Sequence, residues 1–295
     1  MTFEDARDVA KTFGLALMAW LVPPRFWRKA AAATWSVGKP DPGRAAYRYI
    51  LGDKYSESEI AAISTRRRIY LRELRLQLLG MNGPWYFWRP RIRLHGAAHL
   101  QKALADGHGA ILWVTETPFS TLIVKMALHQ AGYHAVQLSR PGHGFSFSPF
   151  GIRYLNPFWR RVEDRFIAER VLILGETATD ALATLRARIA ENAIVIITVV
   201  PQAHKFVHVP FFDTKIRLPT GPMRLARDTG AVMLPVFTVP QDDGSFDVTL
   251  GEALAAPQAG DETVAAAYAK RLEPFVTEHP DQWNGWNWII VPESR

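Results

Sequence analysis

Two uninterrupted apolar runs, Ala110–Val114 (AILWV) and residues 193–200 (AIVIITVV), constrain this chain more than any other feature. A strand with one wet face alternates apolar and polar side chains. A strand covered on both faces is apolar throughout, as in the middle of a parallel sheet. Further strands are expected at 135–138, 171–174, 208–212 and 231–239, with an edge strand at 246–250. The pattern between them predicts helices at 121–130, 177–191, 221–229 and 262–272. Strand–helix–strand alternation of this kind specifies an α/β fold, a mostly parallel sheet flanked by helices. Upstream the chain reads as helical. Ser56 and Glu59 offer a capping box before an apolar run from Ile60 to Leu78, and Gly80 is expected to close that helix. No linker rich in Pro, Gly or Ser divides the molecule. The expected organisation is a helical N-terminal extension at 1–89 and one α/β domain at 90–295.

Composition narrows the chemistry. With no Cys in 295 residues, a disulfide framework, a thiolate zinc site, an iron–sulfur cluster and a cysteine nucleophile are excluded. Hydrophobic residues at 48% exclude a disordered chain. Lys and Arg number 35 against 28 Asp and Glu, which gives a net charge of +7, and ten Trp accompany it. A basic, Trp-rich surface suits an anionic membrane or a nucleic acid. The chain has no RNP-type motif, KH glycine loop or recognition helix, so no nucleic-acid partner is expected. An uncharged run at 12–24 covers 13 residues, whereas a spanning helix needs about 20. Next to Arg25, Trp27, Arg28 and Lys29, this segment reads as a membrane-associating helix lying in the headgroup region. A second aromatic–basic cluster, WYFWRPRIR, occupies 85–93.

Common nucleotide and hydrolase signatures are missing: there is no G-x-x-x-x-G-K-[ST], G-x-G-x-x-G, G-x-S-x-G or H-E-x-x-H. Ligands of open parallel sheets bind beyond the carboxyl ends of the strands. That rule selects Thr115, Glu116 and Thr117 after the first apolar run, Arg140 to His143 after the next strand, and Pro201 to His204 after the second run.

Several segments in order then carry a resemblance. Residues 92–112 (IRLHGAAHLQKALADGHGAIL), Arg140-Pro141, 209–212 (VPFF) with 218–226 (LPTGPMRLA), 231–237 (AVMLPVF) and 279–283 (HPDQW) resemble the blocks of the lipid A late acyltransferases, the lauroyl/myristoyl transferases of Gram-negative bacteria. The resemblance covers about residues 90–290. It implies a glycerolipid-acyltransferase-like α/β fold and a monotopic position on the cytoplasmic face of the bacterial inner membrane. It also implies an acyl thioester donor, on acyl carrier protein or CoA; no cofactor or metal is expected.

The chain departs from that family at its catalytic block, which is His, four residues, then Glu or Asp. Glu116 stands where the His belongs and Thr121 where the acid belongs. The one His-x-x-x-x-Asp present, His208 to Asp213, lies in the third block. One reading rebuilds the site: His143 as base, Glu116 orienting it or binding the acceptor, and Arg140 and Arg224 taking phosphate or carboxylate groups. Thr115, Thr121 and His204 complete the expected substrate-binding set. The alternative is an inactive relative that binds lipid or acyl chains as an accessory subunit. Three expectations concern other segments. Residues 156–170 read as a helix with an Arg165–Glu169 pair, whose Arg160-Arg161 end would contact anionic headgroups or an acidic carrier. His95 and His99 would share a helix face. Trp283, Trp286 and Trp288 would cover the sheet or line an acyl tunnel, with core packing the plainer role.

Overall fold

The strand Ala110–Val114 is inaccessible along its whole length, as its sequence requires. The computed structural model describes residues 2–34, 43–174, 178–200, 203 and 205–291. Helices come first: α1 (Phe3–Leu21), α2 (Trp27–Ala33), α3 (Arg44–Leu51) and α4 (Glu57–Met81). Next are β1 (Ile92–His95), α5 (Ala97–Ala105), β2 (Ala110–Val114), α6 (Ser120–Gln130) and β3 (Ala135–Ser139). Then follow α7 (Pro149–Tyr154), α8 (Asn156–Glu163), β4 (Glu169–Leu172), α9 (Thr179–Ala190) and β5 (Ile194–Thr198). The remaining described elements are β6 (Phe206–Phe211), β7 (Thr214–Pro219), α10 (Gly221–Thr229), β8 (Val232–Pro240), β9 (Phe246–Leu250), α11 (Asp261–Glu278) and β10 (Ile289–Ile290).

Seven strands form one sheet in the order β1-β9-β8-β2-β5-β3-β4. All its pairs are parallel except β8 with β9. Side chains of the two central strands alternate between layers. Ile111, Trp113, Val195 and Ile197 pack towards α9, α10 and α11, while Ala110, Leu112, Ile194 and Ile196 pack towards α4, α5 and α6. Each buried aliphatic side chain in these layers contributes about 2 kcal/mol. A smaller antiparallel sheet, β10-β7-β6, covers one layer and has no counterpart in the sequence reading beyond the 208–212 strand.

Local rules explain most boundaries, and four expectations need correction. The capping box forms: the Ser56 hydroxyl accepts from the Glu59 amide at 3.4 Å and the Glu59 carboxylate from the Ser56 amide at 2.8 Å. Gly80, however, does not end α4, which runs to Met81. A Cβ there would collide with the indole of Trp27, so this glycine exists to let α2 pack on α4. The 246–250 strand is not an edge; β9 lies between β1 and β8. The 156–170 helix breaks after Glu163. Arg165 then stacks 4.0 Å over Tyr86, and Glu169 opens β4, where it pairs with Arg188 at 2.5 Å. The Arg165–Glu169 pair therefore does not form, because chain reversal into the sheet wins over one surface ion pair. His95 ends β1 and meets Asp247 at 3.1 Å, while His99 belongs to α5, so the two do not share a helix face.

The N-terminal helices are built onto the α/β layers. Leu74, Leu76 and Leu78 of α4 share a cluster with Leu112 of β2, and Arg28 of α2 reaches Glu73 at 2.8 Å and the Gln241 carbonyl at 3.1 Å. Among the described residues no helix is long and apolar enough to cross a membrane. The three C-terminal tryptophans are core: Trp286 stacks on Tyr47 at 4.1 Å and Trp283 meets Phe211 at 5.5 Å.

Candidate functional site

Parallel pairing brings the carboxyl ends of β2, β5 and β3 to one edge of the sheet, in that order. The loops holding Thr115–Thr117 and Arg140–His143 therefore share an edge, as the sequence implies. They are separated by β5, so about 10 Å lies between their strands. Of the third loop, Pro201, Gln202 and His204 lie outside the described residues.

Glu116 occupies the first position that can leave the sheet. β2 continues its pairing as far as Thr115, whose amide donates to the Val236 carbonyl at 2.9 Å. The Glu116 carbonyl then accepts from the Asn284 amide at 2.9 Å, which fastens the C-terminal segment over this strand end. From the other side α4 supplies Arg67, whose guanidinium donates to the Asn284 side chain at 3.3 Å, and Arg66, paired with Asp281 at 2.8 Å. The Glu116 side chain is partly exposed between these walls. Burial pushes its carboxyl up to about 7, and the nearby Arg67 charge offsets only part of that rise. Among the described residues none donates a hydrogen bond to this carboxylate. A carboxylate whose proton affinity matches imidazole, on a surface substrate can reach, is equipped for proton transfer at neutral pH.

The neighbouring hydroxyls divide into two kinds. Thr115 is fully buried and its hydroxyl shares a 2.8 Å hydrogen bond with the Tyr268 hydroxyl, which ties β2 to α11. Thr117 and Thr121 instead carry buried Oγ1 atoms without a hydrogen-bond partner among the described residues. An unpaired buried hydroxyl costs roughly 1–3 kcal/mol, and both lie within five residues of Glu116 in the chain, in the turn after β2 and the first turn of α6.

His143 is held by a carboxylate other than the expected one. Its Nε2 lies 3.1 and 3.0 Å from the two Glu163 oxygens, not on Glu116. The physical reason is local: α8 begins 13 residues after His143 and folds back beneath the same loop, whereas Glu116 is across β5. Glu163 also accepts from Lys125 at 2.7 Å, Arg170 at 2.9 Å and the Trp159 indole at 2.8 Å. Burial alone would raise Glu163, but the charges of Lys125, His143 and Arg170 hold it well below the usual carboxylate range. Burial lowers Lys125 to about 8 against the pull of Glu163.

The expected arginines are dispersed. Arg140 is exposed at the start of the His143 turn, and Arg224 is exposed on α10 near Asp228. His208 projects from β6 and Asp213 lies in the following turn, both exposed and remote from the β2 end in topology. Among the described residues no group of three His, Asp or Glu could hold a metal ion.

Four participants escaped the sequence reading. Arg67 and Asn284 reach Glu116 from opposite ends of the chain, a relationship that no local pattern encodes. Lys125 and Glu163 did leave a trace. A lysine inside TLIVKMAL, in a helix buried nearly all round, requires a buried counter-charge.

The family described as bacterial lipid A biosynthesis acyltransferase matches residues 88–289, more than half of the chain. No curated protein matches the chain significantly. The matched segment runs from the residues just before β1 to Ile289 and so contains the whole seven-stranded sheet with Glu116, His143 and Glu163. This chain carries an acyltransferase domain and belongs to the bacterial lipid A biosynthesis acyltransferase family.

Proposed function

We propose that this protein moves a fatty acyl chain from a thioester, on acyl carrier protein or CoA, to a hydroxyl or amine of a lipid or glycolipid acceptor, with Glu116 as general base. The observation that supports this reading is the Glu116 carboxyl, just beyond the carboxyl end of β2 and pushed up to about 7; it is the residue that the resemblance aligns with the family's catalytic His. Ionised Glu116 takes the proton of the acceptor O–H or N–H while that atom attacks the thioester carbonyl. Collapse of the tetrahedral adduct expels the thiolate, which recovers the proton from Glu116, so the carboxylate is regenerated.

Mass spectrometry of lipid extracts tests it. A species absent from a deletion strain should return with the wild-type gene and fail to return with Glu116→Gln. Full restoration by Glu116→Gln would overturn the assignment of the base.

The His143–Glu163 bond favours a second reading, in which that imidazole is the base and Glu163 positions it. Restoration by Glu116→Gln but not by His143→Gln would select it. If both variants restore the lipid and wild type shows no transfer in vitro, the protein is a binder of acyl chains rather than a transferase.

Membrane contact belongs to the same proposal. On α1, Phe3, Phe13, Leu17, Trp20 and Leu21 are all exposed, and at 100° per residue they fall within an arc of about 100°. The indole of Trp20 rests on Gly83, a few residues from exposed Tyr86 and Phe87, and exposed Arg25, Lys29 and Arg89 follow in the same two segments of the chain. A monomer seldom leaves such a stripe to water, and these basic residues suit the anionic cytoplasmic face of a bacterial inner membrane. Phe13→Ser/Leu17→Ser should cut sedimentation with phosphatidylglycerol vesicles at least tenfold while changing the melting temperature little, because Phe13 is 67% and Leu17 48% exposed. Undiminished sedimentation would remove the α1 face from the account.

A further inference from the structure

A shallow hollow of about 460 Å³ opens at the C-terminal end of α8, lined by Pro157, Arg160, Arg161, Asp164 and Arg165. Its charges are unbalanced. Asp164, the one carboxylate in the lining, is taken by Arg170 at 2.6 Å. Arg165 is held on one side only: one Nη donates to the Met81 carbonyl at 2.9 Å and the guanidinium lies over Tyr86, while the other Nη has no hydrogen-bond partner among the described residues. The side chains of Arg160 and Arg161 make no hydrogen bond or ion pair among those residues, and both reach solvent. Three guanidinium groups around one hollow repel each other until an anion enters. This hollow is separate from the acyl-transfer site. Arg67, near Glu116, and Met81, which holds Arg165, stand 14 residues apart on α4, about 21 Å along its axis.

The surroundings select the kind of anion. The end of α4 joins the hollow to α1: the Trp20 indole donates to the Leu79 carbonyl at 3.0 Å, and the Asn82 side chain to the Phe158 carbonyl at 2.7 Å. Around that junction Trp20, Leu21, Tyr86, Phe87 and Phe158 are all exposed. Arginines beside exposed aromatic rings suit the headgroup layer of a bilayer, where the guanidinium meets phosphate and the ring sits at the hydrocarbon boundary. An acidic protein would satisfy the arginines and leave those rings in water. We infer that the hollow seats the phosphodiester headgroup of an anionic membrane phospholipid, between Arg160, Arg161 and the open side of Arg165. This second anchor, beside the apolar strip of α1, fixes one orientation of the protein on the bilayer. The site rests on the membrane contact proposed for α1, and it stands whichever residue is the catalytic base.

Sedimentation of the full chain with vesicles tests the site. Wild type should bind vesicles of equal parts phosphatidylcholine and phosphatidylglycerol more tightly than phosphatidylcholine alone. Arg160→Gln/Arg161→Gln should bind the anionic vesicles about twentyfold more weakly, about fivefold for each basic side chain held at such a surface, and phosphatidylcholine as wild type does. In about 1 M salt the two proteins should converge, because exposed charges are then screened. Lys215→Gln/Lys270→Gln removes equal charge from exposed positions on β7 and α11, in the layer across the sheet, and should bind as wild type does. Equal loss in both double variants, or loss in neither, would overturn the site. Phe13→Ser/Leu17→Ser should weaken binding to both kinds of vesicle, whereas the arginine variant loses only the anionic preference, so the α1 strip and the hollow can fail separately. Titration with acyl carrier protein decides between classes of partner. Arg160→Gln/Arg161→Gln should leave that affinity unchanged; its loss, with vesicle binding intact, would overturn the lipid and give the hollow to an acidic protein.

Discussion

Glu116→Gln is expected to make the protein more stable at pH 8 and to stop acyl transfer. The sign follows from linkage. Unfolded, Glu116 releases its proton near 4.5; folded, burial delays release to about 7. Its contribution to stability is whole below 4.5 and declines as pH rises through 7, because the ionised carboxylate must then be kept in a desolvated site. A shift from 4.5 to 7 corresponds to about 3 kcal/mol, taken as an upper value since the side chain is partly exposed. Gln keeps the shape and removes the charge. Chemical denaturation of both forms should therefore coincide at pH 4, diverge between about 4.5 and 7 and level off by pH 8, the variant being more stable. Identical stability at pH 8 would mean that Glu116 is solvated and ordinary. Residues kept for chemistry at a cost in stability are expected at active sites.

The second large effect lies at Glu163. Lys125, Arg170, His143 and the Trp159 indole converge on this one fully buried carboxylate. Glu163→Gln leaves the Lys125 ammonium buried without its ion-pair partner, beside Arg170, whose remaining carboxylate Asp164 lies 2.6 Å from Arg170. Breaking one partner of a buried pair costs about 3–5 kcal/mol. Lys125→Met in the same background should recover a large part of that loss, because the stranded charge is removed with its partner. A double-mutant cycle by urea denaturation checks both statements. Additive losses would show that Lys125 and Glu163 do not depend on each other. The direction with pH is fixed as well. Charged partners hold Glu163 below its ordinary value, so its contribution is present above 4.5 and is lost as pH falls through the lower, folded-state value.

The sheet was legible because both-face burial writes itself as unbroken apolar sequence. β2 matches its expected bounds residue for residue, and α10 begins and ends where Gly221-Pro222 and Gly230 place it. What was not legible depends on partners distant in the chain. β9 looks like an edge strand because its charged and polar positions, Asp247 and Thr249, suit one; only Arg93 and His95 on β1, 154 and 152 residues away in the chain from Asp247, explain why it is covered. The site shows the same limit. Glu116 was placed by the rule for strand ends and by family position. The carboxylate on His143 was misassigned because two loops on one edge were treated as touching, although β5 stands between them. Glu163 sat in a segment read as one long surface helix, and the break after it turns that residue inward.

The central claim is that a carboxylate has taken over the work of the family's histidine. It is tested most directly by the pH dependence of single-turnover acyl transfer in purified protein, using an acyl thioester and the acceptor identified from lipid extracts. The rate in wild type should rise with pH and level off above an inflection near 7. Glu116→Gln should lose that inflection along with roughly 10²–10⁴ of the rate, the usual contribution of a general base. An unaltered rate and inflection in Glu116→Gln would contradict the account and transfer the role to His143.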